Sequence, residues 1–299
     1  MEKKNLQPRD MATALDCAIR TQEKSQGGYK VGNYQYFNYM SNEEWKKYLA
    51  NMNPIFIKQY GIGAGGELKA GQYPPKMASF GSSSRFIYEK SNDVDGFIFE
   101  ERLDTRVGGT AHLDGFLHQD KYIYVEAKRR EIYYPSHKNQ EIKSVYIPIY
   151  KYIKDKVGES IFNYSTQEVI GNSDGEVTKV TFFVNEKPVD YFDLKQLICH
   201  FLGITYDLAK HQVKGAKAKF LYLLYNPEEV EKLIDSKYRT KIINRYSEVV
   251  KFTNNNIEVF KKIFNVILQY QIETHKMNEC CIDFEFKLVD QNNYNEELE

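Results

Sequence analysis

Apolar residues recur along this chain with two different periods, and the changes between them mark out its elements. Residues 7–24 and 41–53 read as helices. The second opens with Ser41 and Glu44 as an S-x-x-E capping box and sets Trp45, Tyr48, Leu49 and Met52 on one face. A glycine-rich stretch, "GIGAGGELKAG" (61–71), leads into "YPPKMASFGSSSRFIYEK" (73–90), where prolines and serines constrain the approach to a short helix around 74–90. From 95 to 130 the period shortens to two: "DGFIFEERL", "GGTAHLDGFLH" and "KYIYVEAKRR" read as strands, the last two joined tightly at Gln119-Asp120. Residues 136–190 read as an insertion, with "EVTKVTFFVN" (176–185) a strand after the Ser173-Asp174-Gly175 turn.

Helical period returns over 191–208, with Leu194, Leu197, Ile198 and Phe201 apolar. "KAKFLYLLYN" (217–226) is a nearly continuous apolar run, which suits a central strand covered on both sides. Asn226-Pro227 opens a helical region that reaches 275, with a break near "TNNN" (253–256). The alternation of "CCIDFEFKLVD" (280–290) is that of a half-buried strand. These elements predict a mixed α/β (α+β) protein. A helical extension over 1–60 precedes a core over 61–230 that contains the insertion, and 231–299 adds helices, a final strand and an acidic tail.

Composition narrows the function classes only a little. The chain has 299 residues, 42% hydrophobic and 27% charged, as expected of a soluble globular protein. Its 41 Lys and Arg balance 41 Asp and Glu, so global charge selects no partner and local charge must. The cysteines, Cys17, Cys199, Cys280 and Cys281, form no CxxC pair, which argues against zinc and for a reducing cytoplasm. No apolar run follows the basic start, so no secretory signal is expected, and nothing approaches the ~18 consecutive apolar residues of a membrane span. Lys128, Arg129, Arg130, Lys138, Lys143, Lys151, Lys154 and Lys156 make 121–156 basic, with tyrosines between them. That suits a phosphate backbone, although such a run taken alone is more often a solvated face. Glu296, Glu297 and Glu299 are expected to hang free.

The chemistry concentrates in the hairpin about Gln119-Asp120. A two-residue loop would set Asp114 opposite Val125, and a three-residue loop would set it opposite Glu126. Either way the two carboxylates lie within roughly 5–8 Å. Lys128, two residues beyond Glu126, shares its face. Paired carboxylates repel unless a cation lies between them, and Mg²⁺ takes one or two carboxylates plus water. A lysine beside that ion could position an attacking water while the metal polarises a phosphodiester. The bland alternative is a strand end with a solvated Lys-Glu pair.

Asp114 followed by Glu126-Ala127-Lys128, within strand–strand–strand–helix–strand order, resembles the PD-(D/E)XK nuclease superfamily over residues 60–230 or so. Leu113 stands where the family name has proline. "GGELKAGQYPPKMASFGSSSRF" and "GGTAHLDGFL" resemble a bacterial group of restriction endonucleases. The resemblance implies an αβββαβ restriction-endonuclease-like core. It also implies a DNA-cutting enzyme using Mg²⁺ (with Mn²⁺ as a substitute), restriction or defence as its setting, and a homodimer for double-strand cleavage. Asp114 and Glu126 would be metal ligands and Lys128 catalytic. A third acid would come from Glu67, favoured over Glu89. Gln196, which shares a helical face with His200, and His112 are accessory candidates; Ser84, Arg85, Arg129 and Arg130 are candidate DNA contacts. The alternatives are a non-catalytic binding module on the same fold, or a nuclease acting on RNA or a repair intermediate. Gly61, Gly63 and Gly66 spell G-x-G-x-x-G, but two prolines soon after Gly71 deny it the helix a dinucleotide site needs. "GSSSR" lacks the G-x-S-x-G elbow.

Overall fold

The computed structural model describes residues 8–62, 67–134, 140–168, 177–190, 192–211 and 215–298. Helix α1 (Met11–Gln22) starts where the Asp10 carboxylate accepts the Thr13 N–H at 2.8 Å. A small hairpin follows, β1 (Tyr29–Val31) and β2 (Tyr34–Tyr36), so the N-terminal extension is not purely helical. Next come α2 (Asn42–Asn51), with the Ser41–Glu44 capping box formed in both directions, and α3 (Pro54–Ile62). The helix expected from 74 begins later, as α4 (Ser83–Ser91). Residues 76–78 form a 3₁₀ turn after the two prolines, and the Ser82 hydroxyl accepts the Arg85 N–H to start the helix.

Strands β3 (Ile98–Asp104), β4 (Thr110–His118) and β5 (Tyr122–Lys128) form an antiparallel meander. His118 pairs with Tyr122, so the hairpin has the three-residue connection. The insertion builds a sheet of its own: β6 (Gln140–Lys143), then α5 (Ile147–Val157), β7 (Phe162–Glu168), β8 (Val177–Val184) and the short β9 (Lys187–Pro188), in the order β6-β8-β7 with β9 on β8.

The chain then returns through α6 (Leu194–Lys210) to β10 (Ala216–Leu224), which runs parallel to β5. A 3₁₀ helix at 227–233 replaces the helix expected there. It is followed by α7 (Ser236–Asn255), α8 (Ile257–His275) with the break at Asn256, and β11 (Ile282–Asp290), parallel to β10. The main sheet therefore has the order β11-β10-β5-β4-β3, in a mixed α+β protein. Among the described residues no helix is long and apolar enough to cross a membrane.

Aromatic residues fill the core. Phe201 of α6 meets Phe220, Phe264 and Phe284 edge-on, and Phe264 of α8 stacks on Phe284 of β11. Phe99 of β3 packs with Phe56, Tyr60 and Tyr88 from α3 and α4. The acidic tail does not hang free: Glu297 accepts from both Lys219 and Lys287 at 2.7 Å, and Leu298 is buried. Burying Lys219 against the sheet demands such a partner. Glu299 lies outside the described residues.

Helix α6 approaches the sheet at Gly203, where an added Cβ would lie 2.7 Å from Leu103 Cβ and 2.9 Å from Ala111 Cβ. Gly203→Val should therefore lower stability by about 1–3 kcal/mol through overpacking. Urea unfolding measures this, and an unchanged midpoint would mean that α6 stands farther from β3 and β4.

Candidate active site

Two ladders meet at Asp114. Phe99 pairs with Gly115 and Glu101 with Leu113 on one side, and Gly115 pairs with Val125 on the other. Asp114 thus stands between Glu100 of β3 and Glu126 of β5. Its Oδ2 accepts the Ala127 N–H at 2.7 Å, so the side chain reaches across to the backbone of β5. Gly115 is required beside it, because an added Cβ would lie 2.3 Å from the Phe97 ring. Glu100 has φ of 58°, the left-handed region, unusual for a side-chain-bearing strand residue and costing on the order of 1–3 kcal/mol.

Glu126 is buried and sits at the end of this row. Lys128 Nζ donates to Glu126 Oε1 at 2.5 Å and to Gln196 Oε1 at 2.7 Å, while His200 Nε2 lies 3.0 Å from Glu126 Oε2. Gln196 and His200, one turn apart on α6, therefore bracket the Glu126–Lys128 pair. Burial acts to raise the Glu126 pKa, but Lys128 and His200 outweigh it and hold the carboxyl at about 2. Burial likewise acts against the Lys128 charge, yet Glu126 keeps its pKa well above the usual range, so Lys128 is an ammonium.

The other two acids in the row fare differently. Burial and then Glu126 push Asp114 well above the carboxylate range, with Lys128 offsetting only part of this. Burial and then Glu67 raise Glu100 to about 7, against opposing contributions from Lys76 and Ser84. Four acids, Glu67, Glu100, Asp114 and Glu126, thus act on one another across the sheet end.

The two candidates for the third acid lie in different surroundings. Glu67 is buried, with Lys76 Nζ 3.0 Å from Oε1, and it acts on Glu100. Glu89 instead pairs with Arg85 at 2.6 Å and Arg129 at 3.6 Å. His112 is half-buried near Arg102 and His200; burial and then those two groups lower its pKa.

The DNA-contact reading of Ser84, Arg85 and Arg129 needs correction. Arg85 and Arg129 are buried, both paired with Glu23 and Glu89, and Arg129 also lies over the Phe86 and Tyr225 rings. Arg130 donates to the buried Asp16 at 2.5 Å. Ser84 is buried, 3.4 Å from Glu100 Oε1. Buried guanidinium groups need carboxylate partners, and those partners leave Arg85 and Arg129 unavailable to an outside phosphate. Of the basic run, Lys154 and Lys156 belong to α5 beside the second sheet, and Lys138 lies outside the described residues. So do Gly63 and Gly66 of the glycine-rich loop; its preceding segment is helix α3, where a dinucleotide site requires a strand.

Glu100 escaped the sequence reading. Two adjacent glutamates inside a predicted strand were a visible signal, but the pattern alone does not say which of them turns toward Asp114.

The donors suit a hard cation. All four acids offer oxygen, and Glu67 Oε2 is buried without a hydrogen-bond partner among the described residues. Among those residues, no three His, Cys, Asp or Glu side chains already form a cage. Mg²⁺ needs only one or two carboxylates and water. Comparison with family models, curated proteins and solved structures found no match, so the reading of this site rests on its geometry.

The acid row has a consequence for stability without added metal. Glu100 titrates at about 7 in the folded chain against 4.5 ordinarily, so the folded state holds an extra proton between those values and loses stability as pH rises through them. Asp114 acts in the same direction. The melting temperature in chelator should fall from pH 5 to pH 7, and Glu100→Gln should flatten part of that fall. An unchanged slope in the variant would separate Glu100 from the row.

Proposed function

We propose that this chain is a metal-dependent endodeoxyribonuclease with a restriction-endonuclease-like core. The supporting topology is α4, the antiparallel β3-β4-β5 meander, α6, and β10 parallel to β5, with β11 and α8 as additions. The observation that carries the reading is the row of Glu100, Asp114 and Glu126 across three neighbouring strands, closed by a buried ammonium at Lys128. A protein with no chemistry to perform gains no stability from gathering carboxylates whose burial and mutual repulsion raise two of their pKa values.

In this reading Asp114 and Glu126 are the principal metal ligands, with Glu67 as the third acid and Glu100 a fourth oxygen donor. Bound Mg²⁺ would supply charge to polarise the phosphodiester and to make water a better nucleophile. Lys128 lies against Glu126, its Nζ 2.5 Å from Oε1. It donates hydrogen bonds, and its place beside Glu126 suits orienting a water and stabilising charge that develops on a phosphoryl oxygen. Gln196 is a positioning residue: by accepting from Nζ it fixes where the remaining ammonium protons point. His200 holds the second oxygen edge of Glu126 in place. A homodimer with one site per strand would account for double-strand cleavage, and a cytoplasmic restriction or defence role belongs to the same proposal.

Purified protein should convert supercoiled plasmid to nicked or linear forms with Mg²⁺ or Mn²⁺ and stop in chelator. Asp114→Asn and Lys128→Ala should each reduce the rate by about 100-fold or more, the scale seen when one charge-stabilising donor is lost. Circular dichroism confirms that the variants are folded. A folded Lys128→Ala enzyme with full activity would remove Lys128 from the mechanism. Absence of cleavage on DNA, RNA and branched substrates alike would favour the non-catalytic binding module.

A further inference from the structure

The β1–β2 hairpin and the loop before α4 carry exposed tyrosines. Tyr34 is 74% exposed and Tyr73 is 62% exposed. Tyr73 meets Tyr36 edge-on with ring centroids 6.4 Å apart, and Tyr36 meets Tyr39 likewise at 6.0 Å. The hairpin is tied to the segment that carries Lys76: Met40 N–H donates to Ala78 O at 2.9 Å, and Phe80 N–H donates to Asn38 O at 3.1 Å. Lys76, 63% exposed along its side chain, reaches from that segment to Glu67, so the tyrosines and the acids are joined through one short stretch of chain. Arg130, two residues past Lys128, lies over the Tyr134 ring at 5.7 Å.

We propose that Tyr34, Tyr36 and Tyr73 form a stacking platform for the unpaired bases of a nucleic-acid strand, so that the preferred substrate is single-stranded beside the scissile phosphate. The inference rests on the nuclease reading and deepens it. Exposed aromatic faces accept any base, because every base has a π-face, while a neighbouring cation such as Lys76 attracts the backbone. A duplex presents its bases already stacked and offers this surface only phosphates. The link to Glu67, together with the cation at the surface, favours a nucleic-acid strand over an apolar protein partner.

The test is fluorescence anisotropy of the full chain in chelator, where bound oligonucleotide is not cut. A short fluorescein-labelled single strand is compared with its duplex. The single strand should bind more tightly. Tyr34→Ala and Tyr73→Ala should each weaken it by about tenfold, Tyr73→Phe should leave it unchanged, and duplex affinity should move little. Because both rings are exposed, the variants should melt like the parent. Single-strand binding that survives both alanine substitutions would overturn the platform while leaving the nuclease reading in place. If the parent binds no oligonucleotide at all, both fall. Light scattering showing a dimer that Tyr34→Ala or Tyr73→Ala splits into monomers would instead make this surface a protein interface and overturn the proposal.

Discussion

Glu126 is buried among apolar strands, and Lys128 and His200 keep its carboxylate charged. Desolvating an ion costs several kcal/mol, so a buried acid must be matched by positive charge or take up a proton. Lys128 can supply that charge because residues two apart on a strand share a side. Its ammonium also needs acceptors beyond one carboxylate oxygen, and Gln196 provides the next. This ties α6 to the end of β5: a helix shift that broke the contact would leave a buried donor unsatisfied. Burial and then the neighbouring carboxylates raise the pKa values of Glu100 and Asp114, which Lys76 and Lys128 offset only in part.

The same electrostatic rule organises the layer next to the site. Arg85 and Arg129 sit between Glu23 of the segment after α1 and Glu89 of α4, with Arg130 on Asp16 of α1. Burial raises the Asp16 pKa to about 6 even with Arg130 beside it. Such networks add little net stability over apolar packing, but breaking one partner leaves an uncompensated charge. Their structural effect is to fasten α1 and α4 to the chain just past Lys128. The N-terminal helix thereby helps hold the site, although none of its side chains belongs to the acid row.

The parts of this arrangement that could be read from sequence were those set by short-range rules. Alternating apolar residues and a tight turn located β4 and β5, and both loop lengths allowed by the turn kept Asp114 near Glu126. One-turn spacing put Gln196 and His200 on one helical face. Long-range pairing was not legible: Arg85 meets Glu23 across 62 residues and Arg130 meets Asp16 across 114, so both arginines read as candidate DNA contacts. The tail misled for the same reason, since Lys219 lies 78 residues from Glu297 in sequence. The second sheet of the insertion stayed hidden because the sequence pattern marked only β8 clearly, while β7 carries Asn, Ser, Thr and Gln.

Local conformational rules are broken where the acids gather. Glu100 takes a left-handed φ inside a strand, Gly115 gives up a side chain to admit the Phe97 ring, and Asp114 spends a carboxylate oxygen on a backbone amide. Two of these features concern carboxylates of the row themselves, and the third packs a ring beside Asp114. Strain and repulsion collected at one point persist only if the surroundings hold them there. Here the surroundings are the paired charges of Lys128, Arg85 and Arg129 and the aromatic packing beneath the sheet. The cost is confined to a few residues, while the stabilising contacts are distributed over the core. That distribution lets the sheet keep a locally strained and charged cluster without losing its regular pairing elsewhere.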